Sequence, residues 1–456
     1  MFQRVLIVLF LVTTLSLRAA DTLTWHTNQD RVSADIQSAE LRQVLEGIAK
    51  LTGWKVYLES NTTLNVSTKF KDVSSGDALH LLLHNLNYAL VPQTNAPARL
   101  FVFRTVRANA TELIRPADLA SGKKLEIKTV PNELIVRLKP GANIDDIARK
   151  LGAKVIGKID GLNAYRLQFD DEASASAAQT QLASNPDVAS VENNYVIDQP
   201  PPVAKLDMAG APPPVQLKKL DPPGDTGRVI VGLVDSKWQA QGNDLDKFMY
   251  KTISVAGDAN PDPGVPTHAT SMFQDILRGA AGATGGSSSI QVLSVDAYGP
   301  NANTSTFDVA AGVVAAVNGG ANIINLSLGS PADSQLLHDL IQQVTSKGIP
   351  VFAAAGNSAT AQPYYPAAYP EVISVTAANN GQLAPYANYG SYIKLILPGS
   401  AVVYFNNNAY VVSGTSTSSA LTSGLAAGAA DSSHISTSAA ANALLNTPKF
   451  QFTLGK

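Results

Sequence analysis

The chain contains no cysteine among its 456 residues. That excludes disulfides, zinc–thiolate sites, cysteine nucleophiles and acyl-cysteine anchors, so stability has to come from packing. Charge is sparse and balanced: 15% of residues are charged and the net charge is −2. No basic excess points to nucleic acid, and no acidic block points to a solvating tail. Long apolar runs are absent beyond the first twenty residues. No P-loop, dinucleotide fingerprint, H-E-x-x-H or G-x-S-x-G elbow occurs. His80 and His84 stand four apart in a leucine-rich segment without carboxylate partners, which reads as a helix surface rather than a metal site.

Hydrophobic residues make up 45% of the chain, enough for real cores, and the length predicts two to four domains. At the start, Arg4 precedes the apolar run VLIVLFLVTTLSL at 5–17, followed by the small residues Ala19 and Ala20. This reads as a signal peptide over 1–20 and therefore as export to periplasm, cell surface or medium. The run is short for a bilayer span, and no later stretch is long and apolar enough, so no membrane span is expected after its removal.

Residues 30–105 read as a small α+β domain. Leu41, Val44, Leu45, Ile48 and Leu51 recur at helical spacing, as do Leu79, Leu82, Leu83 and Leu86. Short strands are expected at 55–58 and 65–70, and a closing hairpin at 88–91 and 100–103. A second unit over 130–197 reads β-α-β-β-α-β, the order of a ferredoxin-like sandwich. Three proline clusters, 200–202, 212–214 and 222–223, then mark 198–227 as an extended, exposed and cleavable linker.

From Arg228 onward the composition turns to glycine, alanine and serine. RVIVGLVDS, QVLSVDAYG, NIINLSLGS and IPVFAAAGNS read as buried strands, alternating with helical patterns at 306–318 and 334–346. The expected fold over 228–450 is α/β, a doubly wound parallel sheet, preceded by the two small α+β domains. In such sheets ligands sit at the carboxyl ends of the strands. Asp235 ends the first strand, His268 lies at an expected helix start, Asn357 follows a strand, and Ser416 follows Gly414 ahead of a small-residue helix.

Each of these residues alone has an ordinary structural explanation. Together they have the chain order Asp, His, Ser of one of the convergent serine-protease triads. The blocks VIVGLVDS, TH at 267–268, NIINLSLGS, VFAAAGNS, YYPAAYPEVISVTAAN, LPG at 397–399 and GTS at 414–416 resemble, in order, those of the subtilase family. The resemblance implies that Ser416 attacks the scissile carbonyl, that His268 is its general base and that Asp235 orients His268. It implies that Asn357 and the Ser416 N–H hold the oxyanion. Ser327, Leu328 and Gly329 would pair with an extended peptide substrate. No cofactor is implied; many subtilases bind calcium, but no compact carboxylate cluster supports a metal site here.

IVRLKPG, GAKVIGKIDGLNAYRLQF and NPDVASVENNYV resemble the inhibitory propeptide of subtilases. This implies a self-inhibited precursor whose first partner is its own propeptide. LRQVLEGIAKLTGWKVYLE and KFKDVSSGDALHLLL resemble the small N-terminal domain of secretins, which implies binding to a protein of the cell envelope. Four positions depart from the subtilase pattern. Lys237, Pro266 and Ser271 replace glycines, and Ala420 replaces the proline after GTS. These departures leave a second reading, a catalytically inactive subtilase-fold interaction module of the envelope.

Overall fold

A computed structural model describes residues 22–451 apart from short stretches at 27–29, 60–61, 63, 85, 94–96, 108–109, 115–124, 201–202, 207–210, 223, 225–226 and 380, and the side chains of 111–113. The signal-peptide segment lies outside the described residues. The chain divides into two units, Met1–Ala120 and Ser121–Lys456.

The first unit has two small sheets. Thr22–His26, Arg31–Glu40 and Asn65–Val73 pair antiparallel. Asn87–Val91, Arg99–Phe103, Lys55–Glu59 and Ala110–Ile114 form the other, in that spatial order. The expected helices appear as Leu41–Thr52 and Ser75–Leu82. Their apolar stripes supply Leu41, Val44, Leu45, Ile48, Leu79 and Leu82 to one core. Strands at 22–26 and 110–114 extend this domain beyond the span read from the sequence. Both are edge strands of five residues, short enough to leave little alternation to detect.

In the second unit, Thr129–Leu138, Ile144–Leu151, Lys154–Ile159, Ala164–Gln168, Glu172–Ala183 and Val188–Ile197 follow the expected β-α-β-β-α-β order. The strands lie in the spatial order 4-1-3-2, the arrangement of a ferredoxin-like sandwich. The two helices close one face over Leu134, Val136 and Leu167, and Leu182 of the second helix packs into that core. The other face contributes Ile135, Ile159, Ala164 and Ile197 to the core of the following domain. A Cβ on Gly157 would stand 2.8 Å from the Phe307 ring, so a side chain there would push the two apart.

The large domain is built on a sheet in which Met249–Ser254, Gln291–Asp296, Ile230–Asp235, Ile323–Leu326, Val351–Ala354 and Ile373–Asn379 run parallel in that spatial order. Val231 and Leu233 face the helices His268–Thr284 and Thr415–Ser433. Ile230 and Val234 face Thr306–Asn318 and Gln335–Ser346. Both faces are covered, which is why these strands read as unbroken apolar runs.

The proline-rich stretch is less exposed than its composition suggests. Ala204–Leu206 adds an edge strand to the hairpin Ser400–Phe405/Asn408–Ser413, and Lys218–Lys219 pairs with Ser287–Ser288. Leu217 is buried in the main core. Proline removes a ladder donor but tolerates edge positions, and Lys218 and Lys219 are free to pair because the prolines fall outside that short strand.

Candidate active site

Three adjacent parallel strands deliver the site. Asp235 closes Ile230–Asp235, Ser327 follows Ile323–Leu326, and Asn357 lies three residues past Val351–Ala354. These carboxyl ends face the first turns of two helices, one starting at His268 and the other at Thr415. Thr267 caps the first by accepting from Thr270 N.

Asp235 is fully buried, and both its oxygens lie against His268 Nδ1, at 2.9 and 2.8 Å. A buried carboxylate needs such partners to remain charged. Oδ1 also accepts from the Ser236 N–H at 2.7 Å and the Ser236 hydroxyl at 3.2 Å. Ser236 Oγ in turn accepts from Ala269 N at 3.1 Å, tying the strand end to the helix that carries His268. Lys237 points away and donates to the Ala259 carbonyl, so its substitution for glycine leaves the carboxylate's contacts intact.

Ser416 is nearly buried, and its hydroxyl donates to the Ser327 carbonyl at 2.9 Å. Ser327 Oγ returns a bond to the Ser416 carbonyl at 3.1 Å and accepts from buried Asn325. Among the described residues no hydrogen bond joins Ser416 Oγ to His268. Ser416 sits in the first turn of its helix, where backbone N–H groups have no intrahelical acceptor and the dipole favours negative charge.

Asn357 is exposed, and its Oδ1 accepts from Thr415 N at 2.9 Å and Thr415 Oγ1 at 3.1 Å. With its oxygen committed to the helix start, Nδ2 is the free end of the amide. It would stand 3.1 Å from a Cβ on Gly414, so the entry to the helix that carries Ser416 has to stay bare. Buried Asn388 fixes the loop that carries Asn357: it accepts from Ser358 N and donates to the Ala355 carbonyl, at 2.8 Å each. Gly356, at φ +101, passes so close that a Cβ there would meet Asn388 Nδ2 at 2.3 Å.

The expected substrate strand, Ser327, Leu328 and Gly329, is buried throughout. Gly329 lies against Tyr364 and Tyr365, where a Cβ would meet the Tyr365 carbonyl at 2.6 Å. The tail of the small sandwich domain instead pairs Val196 with Ser305 and Ile197 with Thr304. Beyond it, Gln199 N donates to Asn303 Oδ1 at 3.4 Å.

Sequence reading passed over Ser236, Thr415, Asn388 and Asp275. Ser236 and Thr415 adjoin site residues, and that adjacency was the available signal. Asn388 and Asp275 carried none. No group of three potential metal ligands occurs among the described residues.

Residues 226–449 match the Subtilase family, and residues 116–194 match the Fervidolysin N-terminal prodomain. Residues 226–449 are a domain of the subtilase family of serine endopeptidases. A thermophilic serine proteinase of Bacillus sp. (strain AK1) is 28% identical over 313 residues, 65% of this chain and 77% of that protein. Subtilisin Savinase of Lederbergia lenta is 31% identical over 177 residues, 37% of this chain and 66% of its own. Fervidolysin from Fervidobacterium pennivorans, a keratinolytic enzyme related to subtilisin, superposes with a TM-score of 0.50 at 18% identity, over 66% of this chain and 54% of that one. This structural likeness speaks to the fold alone. With a subtilase catalytic domain behind a prodomain of the fervidolysin type, the protein is a self-inhibited serine protease precursor.

Proposed function

We propose that this subtilase cleaves peptide bonds through Ser416, His268 and Asp235, and that its own residues 188–199 occupy the approach to that site before processing. The observation that carries the reading is the double contact of the Asp235 carboxylate on His268 Nδ1. It fixes the imidazole with Nε2 as the available base, and it stabilises the imidazolium that forms when Ser416 gives up its proton. Asn357 Nδ2 and the Ser416 N–H are the donors offered to the tetrahedral oxyanion. Ser416 then needs a turn about its Cα–Cβ bond, from the Ser327 carbonyl toward His268.

Self-inhibition is supported by how the prodomain caps two helices on the other face of the catalytic domain's sheet. Glu192 accepts from Ser334 Oγ at 2.8 Å, Gln335 N at 2.7 Å and Leu336 N at 3.2 Å, at the start of Gln335–Ser346. Asn194 Oδ1 accepts from Phe307 N at 3.2 Å at the start of Thr306–Asn318. Arg166 pairs with Asp308, and Arg137 with Asp339. Cleavage falls between the tail that ends near Gln199 and the segment anchored by Leu217.

Export, and an N-terminal unit that binds an envelope protein as secretin-like domains do, complete the proposal. The test is expression of the wild type beside Ser416→Ala. Fragmentation of the wild type alone, with hydrolysis of casein, supports proteolysis. Two full-length, inactive proteins overturn it.

The reading of an inactive scaffold draws on one observation, the Ser416 hydroxyl turned to Ser327 rather than to His268. A serine-directed phosphonate separates the two: covalent labelling at Ser416 excludes a dead site.

A further inference from the structure

The helix that carries His268 opens on a set of bonds that the proteolytic scheme does not use. Its cap is Thr267, and Pro266 before it is buried and has no N–H to give. The first turn of a helix leaves backbone donors without intrahelical acceptors. Here Thr270 N donates to Thr267 Oγ1 at 3.2 Å, and Ala269 N to Ser236 Oγ at 3.1 Å. Thr267 N, the donor just ahead of the helix, goes to Gln239 Oε1 at 2.7 Å.

Both ends of the Gln239 amide and its backbone N–H are engaged. The backbone N donates to Thr270 Oγ1 at 2.9 Å, and Thr270 is fully buried in the first turn. Thr270 Oγ1 also lies 2.8 Å from Thr267 Oγ1, which closes a ring through Gln239, Thr267 and Thr270. Gln239 Nε2 donates to the Asp262 carbonyl at 2.9 Å, so the same amide holds the loop that leads into the helix.

His268 therefore stands between two residues, Thr267 and Ala269, whose N–H groups both bond to the segment that follows Asp235. Asp235 and His268 are 33 residues apart, so the covalent chain does not fix their separation. These two ties act on it from either side, and the contacts of the Asp235 carboxylate on His268 Nδ1, at 2.9 and 2.8 Å, lie between them in sequence.

We propose that Gln239 is a positioning residue of the proteolytic site: it clamps the first turn of the helix that carries His268 to the loop that follows Asp235, and so keeps the imidazole in register with the carboxylate. The proposal rests on the proteolytic reading given above. Gln239 lies outside every block that resembles the subtilases.

Three variants test it. Gln239→Met keeps the length of the side chain and removes its hydrogen bonds. Gln239→Glu keeps an acceptor for Thr267 N. Thr270→Val keeps the shape and removes the hydroxyl that receives Gln239 N. Matured proteins are compared with matured wild type, normalised by phosphonate active-site titration. Gln239→Met and Thr270→Val are expected to lower kcat by about ten- to a hundredfold with KM little changed, the scale of a misaimed catalytic group. Gln239→Glu is expected to recover most of the loss.

The direct readout is the far-downfield proton NMR resonance of an imidazole Nδ1–H held by a carboxylate, recorded on the full chain in the Ser416→Ala background with isotope-labelled histidine. It is expected to be sharp with Gln239 or Gln239→Glu, and broadened or lost with Gln239→Met and Thr270→Val. A merely structural role would lower the melting temperature and leave both the resonance and kcat in place, which overturns the proposal. Wild-type kcat in Gln239→Met overturns it too, as does a rise in KM at constant kcat. If Gln239→Met does not fold, Thr270→Val decides by the same two readings. The resonance needs no turnover, which keeps the clamp apart from the proteolytic reading. Failure of wild type to take the phosphonate overturns proteolysis, whereas a resonance absent with Gln239 in place, or indifferent to its loss, overturns the clamp.

Discussion

The hydroxyl of Ser416 donates to the backbone carbonyl of Ser327 at 2.9 Å, bridging 89 residues of sequence. This contact sets the helix that carries Ser416 against the end of a central strand, with the hydroxyl engaged there rather than with His268. Ser416→Ala is expected to remain full length and to lose at least about a thousandfold in hydrolysis. Intact mass and casein turnover check both.

Asn357 is held by Thr415 through its oxygen, and its amide hydrogens make no hydrogen bond among the described residues. Asn357→Ala is therefore expected to cut kcat by about 10²- to 10³-fold, the usual worth of one oxyanion donor, with KM nearly unchanged. Steady-state kinetics on a peptide amide would show it. A matching rise in KM alone would assign Asn357 to ground-state binding.

Glu192 accepts three bonds at the start of Gln335–Ser346. Hydrogen bonds to a charged group contribute about 1.5–3 kcal/mol. Glu192→Ala is expected to weaken retention of the cleaved prodomain by about ten- to a hundredfold, read from the activity that appears on dilution of the processed complex. Burial raises the Glu192 carboxyl above its ordinary value in the bound state. A group whose bound value is raised binds protons on association, so retention weakens as pH climbs from the ordinary carboxylate range through the raised value.

Asp275 carries the same sign for folding. Its value moves from about 3.9 in an unfolded chain to about 7 in the folded one. The folded state holds the extra proton between these limits, so stability falls as pH rises through that window and stays lowered above it. Asp275→Asn is expected to raise the melting temperature relative to wild type at pH 8, with the difference shrinking toward pH 4. An equal difference at both pH values would show that the carboxyl does not titrate there.

Gly424 lies where a Cβ would meet the Ile276 carbonyl at 1.9 Å. Gly424→Ala must force the helices apart and is expected to cost about 3 kcal/mol or more. Gly428, where the nearest atom would stand at 2.8 Å, is expected to cost less on the same change. Chemical denaturation of the Ser416→Ala background, which cannot digest itself, gives both numbers.

Order along the chain and hydrophobic period determined a good deal without coordinates. The runs at 230–235, 323–326 and 351–354 are apolar throughout because both sheet faces are covered, and that same burial makes a terminal Asp235 conspicuous. The β-α-β-β-α-β order of 129–197 likewise followed from alternation and turn residues. Tertiary structure alone decided the rest. Strands at 204–206 and 218–219 form because distant segments offer them an edge, which proline content cannot reveal. Asn388 reaches the Asn357 loop, Glu192 meets a helix start 142 residues away, and Asp275 is sealed in by a glycine crossing. A local pattern records which way a residue faces. It does not record which remote backbone group will arrive there, and for buried polar side chains that arrival sets both charge and role.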